Sequence, residues 1–479
     1  MQTHFSPAQL ADPQFAESER ILRACVHCGF CTATCPTYLL TGDELDGPRG
    51  RIYLAKDMLE RNRPADATTV KHLDRCLTCL ACMTTCPSGV HYMHLADHAR
   101  QHIEKTYRRP LPDRLFRALL AFVLPYTGRF RLALRLAAVV QPLRSVLPAR
   151  LRQLIDAARL GAGSGGRVGG AHVTSRVATE GAERISVTPT SAGKPAESSP
   201  RDAHAGATDR VIRRVALLPG CVQPVLRPEI NDAAIRLLKR FGVEVVVAAG
   251  TGCCGALVHH MGREHQAGAQ AKTDIDAWMR EIESRGLDAI MVTASGCGTM
   301  LKDYGFIFRN DAAYAEKARR VSELAGDVTE IVAQVLGADA FTTTPGAERA
   351  QSGDCGTPLP PDIGRMRVAY HSACSLQHGQ KLHDLPQELL KRAGFNVIAA
   401  PEGHICCGSA GAYSLLQPEM SAQLRERKAR NIESVSPDVI ATGNIGCITH
   451  IAQGTRIPIV HTVELLDWAT GGPRPPALG

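Results

Sequence analysis

Hydrophobic and polar positions along this chain fall into two regimes. In the first quarter the apolar residues sit in helical stretches. One is RGRIYLAKDMLERN, after the turn residues Gly47 and Pro48, and another is HLADHARQHIEKTY at residues 94–107. Leu115, Leu119 and Phe122 then recur at near-helical spacing with arginines between them. From residue 211 onward, short β-branched runs such as Val243–Ala249 alternate with helical patterns, which predicts parallel α/β units. Residues 161–210 are rich in Gly, Ser, Ala and Thr with little apolar content, the composition of a flexible linker. The longest apolar stretches, Ala118–Leu124 and Leu132–Val140, are short and broken by Arg135 or a flanking proline, so no span of a bilayer is expected.

The α/β region is an internal duplication. Its first half carries Cys221, the doublet Cys253 and Cys254 followed by Gly255, and Cys297. Its second carries Cys374, the doublet Cys406 and Cys407 followed by Gly408, and Cys447. The first cysteine precedes the doublet by 32 residues in both halves, and the last follows it by 43 and 40. Flanking residues repeat as well: Leu237-Leu-Lys-Arg-Phe-Gly echoes Leu389-Leu-Lys-Arg-Ala-Gly. Each half reads strand, cysteine turn, helix, strand, Cys-Cys-Gly turn, helix, strand, cysteine turn. Such repetition predicts two similar units, with every cysteine turn gathered at the carboxyl edge of a parallel sheet.

A chain of 479 residues suits about three domains. The expected organisation is a helical ferredoxin-like domain over 1–105, a basic amphipathic connector over 106–160, a linker over 161–210, and Cys-Cys-Gly units over 211–345 and 366–479.

Eight of the 17 cysteines form two copies of another pattern, Cys25, Cys28, Cys31, Cys35-Pro36 and Cys76, Cys79, Cys82, Cys86-Pro87. A cubane cluster needs four soft thiolates at its corners. Three cysteines at intervals of three reach one cube, and the fourth, before the proline, ligates the other cluster. The expected sets are Cys25, Cys28, Cys31 and Cys86 for one [4Fe–4S] cluster, and Cys76, Cys79, Cys82 and Cys35 for the second. Structural zinc does not call for the third cysteine or the Cys-Pro. Disulfides are disfavoured because no apolar leader with a small-residue cleavage site opens the chain, so a cytoplasmic setting is expected.

The duplicated cysteines leave three readings open: a cluster or metal in each half, in one half, or thiols packed as small hydrophobes. Histidines 259, 260, 265, 371, 404 and 450 flank these turns and could ligate or move protons, although a hydrogen-bonded or partly exposed histidine is more frequent. Cys355, in a proline-rich loop between the halves, is expected to be incidental. The stretch Gly161–Gly166 fits GxGxxG, but a helical pattern precedes it and no helix follows, so it is not a dinucleotide fingerprint.

Charge narrows the partners. From Lys105 to Leu160 there are twelve basic residues and two acidic ones, a local +10 against +8 for the whole chain. Pro112, Pro125, Pro142 and Pro148 are expected to break this segment into short helices. It suits either an anionic membrane surface or a connector packed on a partner or on the cluster domain; nucleic acid is not expected.

The stretches CVHCGFCTATCPTY, DELDGPRGRIYLAK and HLDRCLTCLACMTTCPSGV resemble the iron–sulfur subunits of glycolate oxidases. The duplicated halves resemble the Cys-Cys-Gly domains of heterodisulfide reductase and related respiratory subunits. In that family's fuller form the last element is Cys-x2-Cys; here Ala294 and Asn444 stand at its first position, so a five-cysteine site is absent from both halves. The resemblance implies an electron-transfer subunit. FAD on a partner subunit would take the hydride from glycolate, and electrons would pass from this chain toward quinone at the inner face of the cell membrane. A sister subunit for D-lactate or glycerol 3-phosphate, or a thiol–disulfide reductase, are the alternatives.

Overall fold

The computed structural model describes residues 1–140, 212–336 and 362–479. The expected linker, Pro142, Pro148 and Cys355 lie outside the described residues.

The first 106 residues are helical. Helix α1 (Pro13–Ala24) opens on an Asp12 cap that accepts from the Gln14 backbone N–H, and Pro13 occupies its first position, where no hydrogen-bond donor is needed. Helix α2 (Pro48–Glu60) likewise begins at Pro48, so this proline starts the helix rather than preceding it. Helix α3 (Ala67–Asp74) is capped by Asp66, which accepts from Thr69. Helix α4 (Tyr92–Thr106) buries Leu95, Ala99 and Ile103 at intervals of four, against Leu22, Met58, Leu59 and Leu73.

Two further helices follow, α5 (Leu111–Val123) and α6 (Thr127–Val140). Pro112 initiates α5 instead of breaking it, whereas Pro125 does separate the pair. The stripe of Leu115, Leu119 and Phe122 is exposed. The buried face is Phe116, Leu120 and Ala121, packed on Val258, Met261 and Ala267 of the next domain. Two of the arginines are not a solvated face: Arg109 and Arg117 turn inward onto Asp74, at 2.6 and 2.8 Å.

Each duplicated unit is a four-stranded parallel sheet. The first holds β1 (Arg214–Leu218), β2 (Glu244–Val246), β3 (Ala289–Val292) and β4 (Ala325–Asp327) in the order β2-β1-β3-β4. The second repeats it with β5 (Arg367–Tyr370), β6 (Asn396–Ile398), β7 (Val439–Thr442) and β8 (Ile459–His461) in the order β6-β5-β7-β8. The register repeats too: Val215 faces Val245 and Ala289, and Val368 faces Val397 and Val439. The second strand of the first unit is shorter than its β-branched run, and the fourth strand of each unit follows the last cysteine.

Sheet alternation explains how the units join. Val215, Leu217 and Met291 point into one core that continues through Val368, Ile440, Val460 and Trp468 of the second unit. Ala216, Leu218, Ile290 and Val292 point the other way, onto Trp278 and Tyr304. Across the joint, helix α7 (Glu229–Arg240) packs on the final helix (Thr462–Ala469), and Arg236 and Arg240 hold the buried Asp467 at 2.6 and 3.0 Å.

The glycine after each doublet has a steric cause. Gly255 and Gly408 have φ of +85° and +95°, and a Cβ at Gly408 would lie 2.7 Å from the Ser421 carbonyl oxygen. Gly408→Ala is therefore expected to lower stability by about 1–3 kcal/mol. Thermal unfolding of the full chain measures this, and an unchanged melting temperature would contradict the tight approach.

Candidate metal centres

The two N-terminal motifs adopt one backbone shape. His27 and Gly29 in the first, and Thr78 and Leu80 in the second, all have left-handed φ, at 57°, 86°, 53° and 64°. This alternation curls each loop so that its cysteines converge. One cavity is lined by Cys25, Cys28, Cys31, Cys82 and Cys86. A second is lined by Cys35, Cys76, Cys79 and Cys82. The fourth cysteine of each motif thus meets the first three of the other, and Cys82 borders both cavities. The donor set, eight thiols around two adjacent cavities with Cys82 bordering both, fits [4Fe–4S] clusters.

The surroundings of the two cavities differ. Cys28 is exposed, and Val26 and Phe30 beside it are 66% and 62% exposed. Burial, with Cys25 adding, pushes the Cys31 thiol up to about 11. The second cavity is lined by more deeply buried thiols, with Cys35, Cys76 and Cys79 only 6%, 9% and 9% exposed. Arg51, 1% exposed, donates to Thr37 Oγ1 at 2.9 Å and to the His72 carbonyl at 2.7 Å, with Nη1 3.8 Å from Cys35 Sγ. Arg100 donates to the Cys76 carbonyl at 2.7 Å. Burial alone would raise the Cys76 thiol, but Arg51 and Arg100 reverse it and hold Cys76 below the usual thiol range. Burial opposes ionisation of Asp46 as well, yet His72, Arg51 and Arg75 outweigh it. The triad Asp43, Asp46 and His72 is a tight group of potential ligands. Asp46 is already engaged by His72 at 2.8 Å and Arg75 at 2.7 Å.

In the α/β units the cysteines gather at the carboxyl ends of the strands. Cys221 follows β1, the first doublet follows β2, and Cys297 lies in the first turn of helix α8 (Ser295–Ile307), after β3. The gap between β1 and β3 is where the strand order reverses, the usual place for a site in such sheets. In each unit the thiols form a chain of neighbours. One runs Cys221, Cys253, Cys254, Cys297. The other runs Cys374, Cys406, Cys407, Cys447, with Cys374 and Cys406 sulfurs 3.7 Å apart. Neighbouring thiols and burial push Cys221 and Cys374 well above the ordinary thiol range.

Asn444, at the position of the missing cysteine, donates to Cys447 Sγ at 3.5 Å. Ala294 at the matching place caps α8 through its backbone.

The flanking histidines divide. His259 pairs with Asp97 of α4 at 3.2 Å and is raised by it against the cost of burial. His260 lies 3.7 Å from the same carboxylate. His450 meets Ser421 Oγ at 3.1 Å, and His404 is reached at its carbonyl by His378. His265 lines an open cleft beside Glu264 and Lys272. His371 is different: it is 3% exposed, and its Nε2 has no hydrogen-bond partner. Burial, with Lys428 adding, holds it well below the usual histidine range, so its imidazole is neutral. The sequence signal for it was available, since His371 stands three residues before Cys374 while Leu218 stands three before Cys221.

The cluster loops dock on the second unit. Leu77, Cys79 and Ala81 share an apolar cluster with Ile405, Cys406, Tyr413 and Met420, and Thr84 meets His378 at 2.8 Å. The first unit docks on α4 instead, through Asp97 and through His94, 2.9 Å from Asp303.

Residues 21–90 match the 4Fe-4S dicluster domain family, and residues 215–302 and 368–452 match the Cysteine-rich domain family. The chain is 41% identical to the glycolate oxidase iron-sulfur subunit of Escherichia coli (strain K12), over 98% of this chain and 99% of that protein. It is 28% identical to the probable glycolate oxidase iron-sulfur subunit of Bacillus subtilis (strain 168), over 93% and 94%. Lactate utilization protein A of Bacillus licheniformis is 26% identical over 53% of this chain and 99% of its own length.

One buried carboxyl beside the first unit's doublet yields a pH prediction. Asp274, 1% exposed, accepts from the Gly252 backbone N–H at 2.8 Å, and its Oδ2 has no partner. Burial raises it to about 7. The folded state therefore holds a proton that the unfolded chain releases near pH 4, and stability declines as pH rises from about 4 to about 7. Asp274→Asn keeps the acceptor and cannot ionise. Its expected signature is a higher melting temperature than the parent at pH 8 and none at pH 4; equal melting at pH 8 would rule out the buried charge.

Proposed function

Because this chain belongs to the family of glycolate oxidase iron–sulfur subunits, we propose that it is the one-electron conduit of a complex that oxidises glycolate to glyoxylate, with the oxidation itself on a partner subunit. The reading is carried by the two adjacent cavities, one bordered by Cys25, Cys28, Cys31, Cys82 and Cys86 and the other by Cys35, Cys76, Cys79 and Cys82. A [4Fe–4S] cluster, when bound, takes up and releases one electron at a time.

This chain's residues hold, separate and shield. Cys25, Cys28, Cys31 and Cys86 hold the outer centre, and Cys35, Cys76, Cys79 and Cys82 the inner one. The exposed Cys28, with Val26 and Phe30 at its rim, supports docking of the electron donor at the outer centre. The buried Arg51 and Arg100 offset the negative charge of the inner thiolates, and such nearby charge and hydrogen bonding tune a cluster's potential.

Glycolate oxidation releases two electrons and two protons. An FAD on the partner suits that step, since a flavin accepts the pair and returns electrons singly. Quinone is the proposed acceptor. No helix among the described residues is long and apolar enough to cross a membrane. The exposed Leu115, Leu119, Phe122, Leu132 and Leu136, with Arg114, Arg131 and Arg135 exposed alongside them, support peripheral attachment to an anionic surface.

The test is EPR on the complex, purified anaerobically with its native partners, after addition of glycolate or, in a separate sample, D-lactate. Cluster reduction by glycolate is expected, and reduction by D-lactate alone would overturn the substrate assignment. Cys28→Ser is expected to reduce glycolate-driven acceptor reduction to the background of the partner subunits, while their flavin still bleaches. Full turnover in that variant would refute an obligatory conduit.

A further inference from the structure

The sulfurs of the two N-terminal motifs do not share their hydrogen bonds evenly. Among the described residues, side-chain donors reach Cys35 and Cys76 and none of the other six. Arg51 Nη1 lies 3.8 Å from Cys35 Sγ, and the Tyr92 hydroxyl donates to Cys76 Sγ at 3.8 Å. Both sulfurs belong to the inner set. Arg51 brings a full charge with it. Tyr92 is neutral, so its hydroxyl acts through this one hydrogen bond.

Tyr92 occupies an uncommon place. It opens helix α4, six residues after Cys86, and is 4% exposed. It shares the apolar core of the helical domain with Val90, Leu95 and Cys76. Among the described residues, Pro48, Cys82 and Tyr92 are the three that line both cavities. Cys82 is itself a candidate ligand and Pro48 has no donor, so Tyr92 supplies the one polar group at the common wall that is not a ligand. A buried tyrosine hydroxyl requires an acceptor, and here that acceptor is the sulfur of an inner cysteine.

We infer that Tyr92 sets the balance between the two centres: its hydroxyl favours the reduced state of the inner one and leaves the outer one unaffected. The inference rests on the proposed function, in which both cavities carry [4Fe–4S] clusters. An added electron makes the Cys76 sulfur a stronger acceptor, and hydrogen bonds strengthen with the charge of the acceptor. The donor therefore stabilises the reduced form more than the oxidised one. Packed in the apolar core, this bond has no water to compete with it. The step moves one electron, with the outer centre oxidised and the inner reduced, and Tyr92 keeps its proton throughout. Its hydroxyl thus draws the electron away from the exposed Cys28 and toward the loop of Cys79, which packs on Ile405 and Cys406 of the second unit.

Potentiometric EPR titration of the anaerobically purified complex tests this. The signal perturbed by Cys28→Ser identifies the outer centre. Tyr92→Phe keeps the ring and removes the hydroxyl. It is expected to lower the inner midpoint by a three- to tenfold change in the reduction equilibrium, about 30–60 mV for one electron. Iron content and the outer midpoint are expected to stay at the parent level. Tyr413→Phe is the control: it removes a buried hydroxyl that meets Met420 Sδ in the wall facing the inner loop, and both midpoints are expected to hold. The inference is overturned by an inner midpoint that Tyr92→Phe leaves in place, by an equal fall at both centres, or by the same fall in Tyr413→Phe. Iron lost from Tyr92→Phe would make Tyr92 a structural residue and overturn it as well. A parent complex without cluster signals would instead bring down the proposed function itself.

Discussion

Everything in this chain is organised around bringing thiols together that the sequence keeps apart. Cys35 must reach a loop that begins at Cys76, and Cys86 must reach back to one that begins at Cys25. Buried thiolates repel one another and resist desolvation, so such convergence is stable only where metal, cationic groups or hydrogen bonds compensate. At the inner cavity Arg51 and Arg100 supply that compensation, while Asp46 lies 3.6 Å from Arg51 Nη2. The first cavity lacks a comparable buried pair among the described residues, and its Cys28 is exposed.

The same need explains how the helical domain sits on the duplicated one. Its contact with the second unit is mostly apolar, with Thr84 meeting His378 beside it, and lies directly on a cysteine loop, where Cys79 meets Cys406 and Ile405. Its contact with the first is ionic and lies on helix α4, where Asp97 faces His259. A buried ion pair costs desolvation and is weak support for stability, but it fixes one orientation. Two unlike contacts, one apolar and one charged, leave the helical domain a single seating on two units that are otherwise alike.

Duplication copied the sheet order, the register and the tight glycine, because these follow from backbone sterics that both halves must satisfy. It did not preserve the charges. His371 and Lys428 stand where the first unit has Leu218 and Asp274, Lys428 and Asp274 each seven residues past the residue whose carbonyl underlies the tight glycine, so equal folds enclose different titratable groups. Divergence of this kind is cheap at the carboxyl edge of a parallel sheet, where side chains can change without disturbing the ladder.

The cysteine spacing alone specified the ferredoxin-like loops, since three residues at intervals of three close one local turn whatever surrounds it. It also specified the two α/β units, because strand and helix periods are local. The stripe of Leu115, Leu119 and Phe122 that the sequence singles out on helix α5 is exposed, and Phe116 and Leu120 are the residues covered. Local amphipathicity does not reveal which neighbour a helix will meet. The sequence marks His371 by its position three residues before Cys374, but that its Nε2 is buried without a partner, close to Cys407 and Cys447, is a property of the packed interior. The sequence by itself determined which residues could bind metal and that the domain was copied. Only the tertiary structure decided which of them meet, because those distances are set by the packing of sheets and helices and not by intervals along the chain.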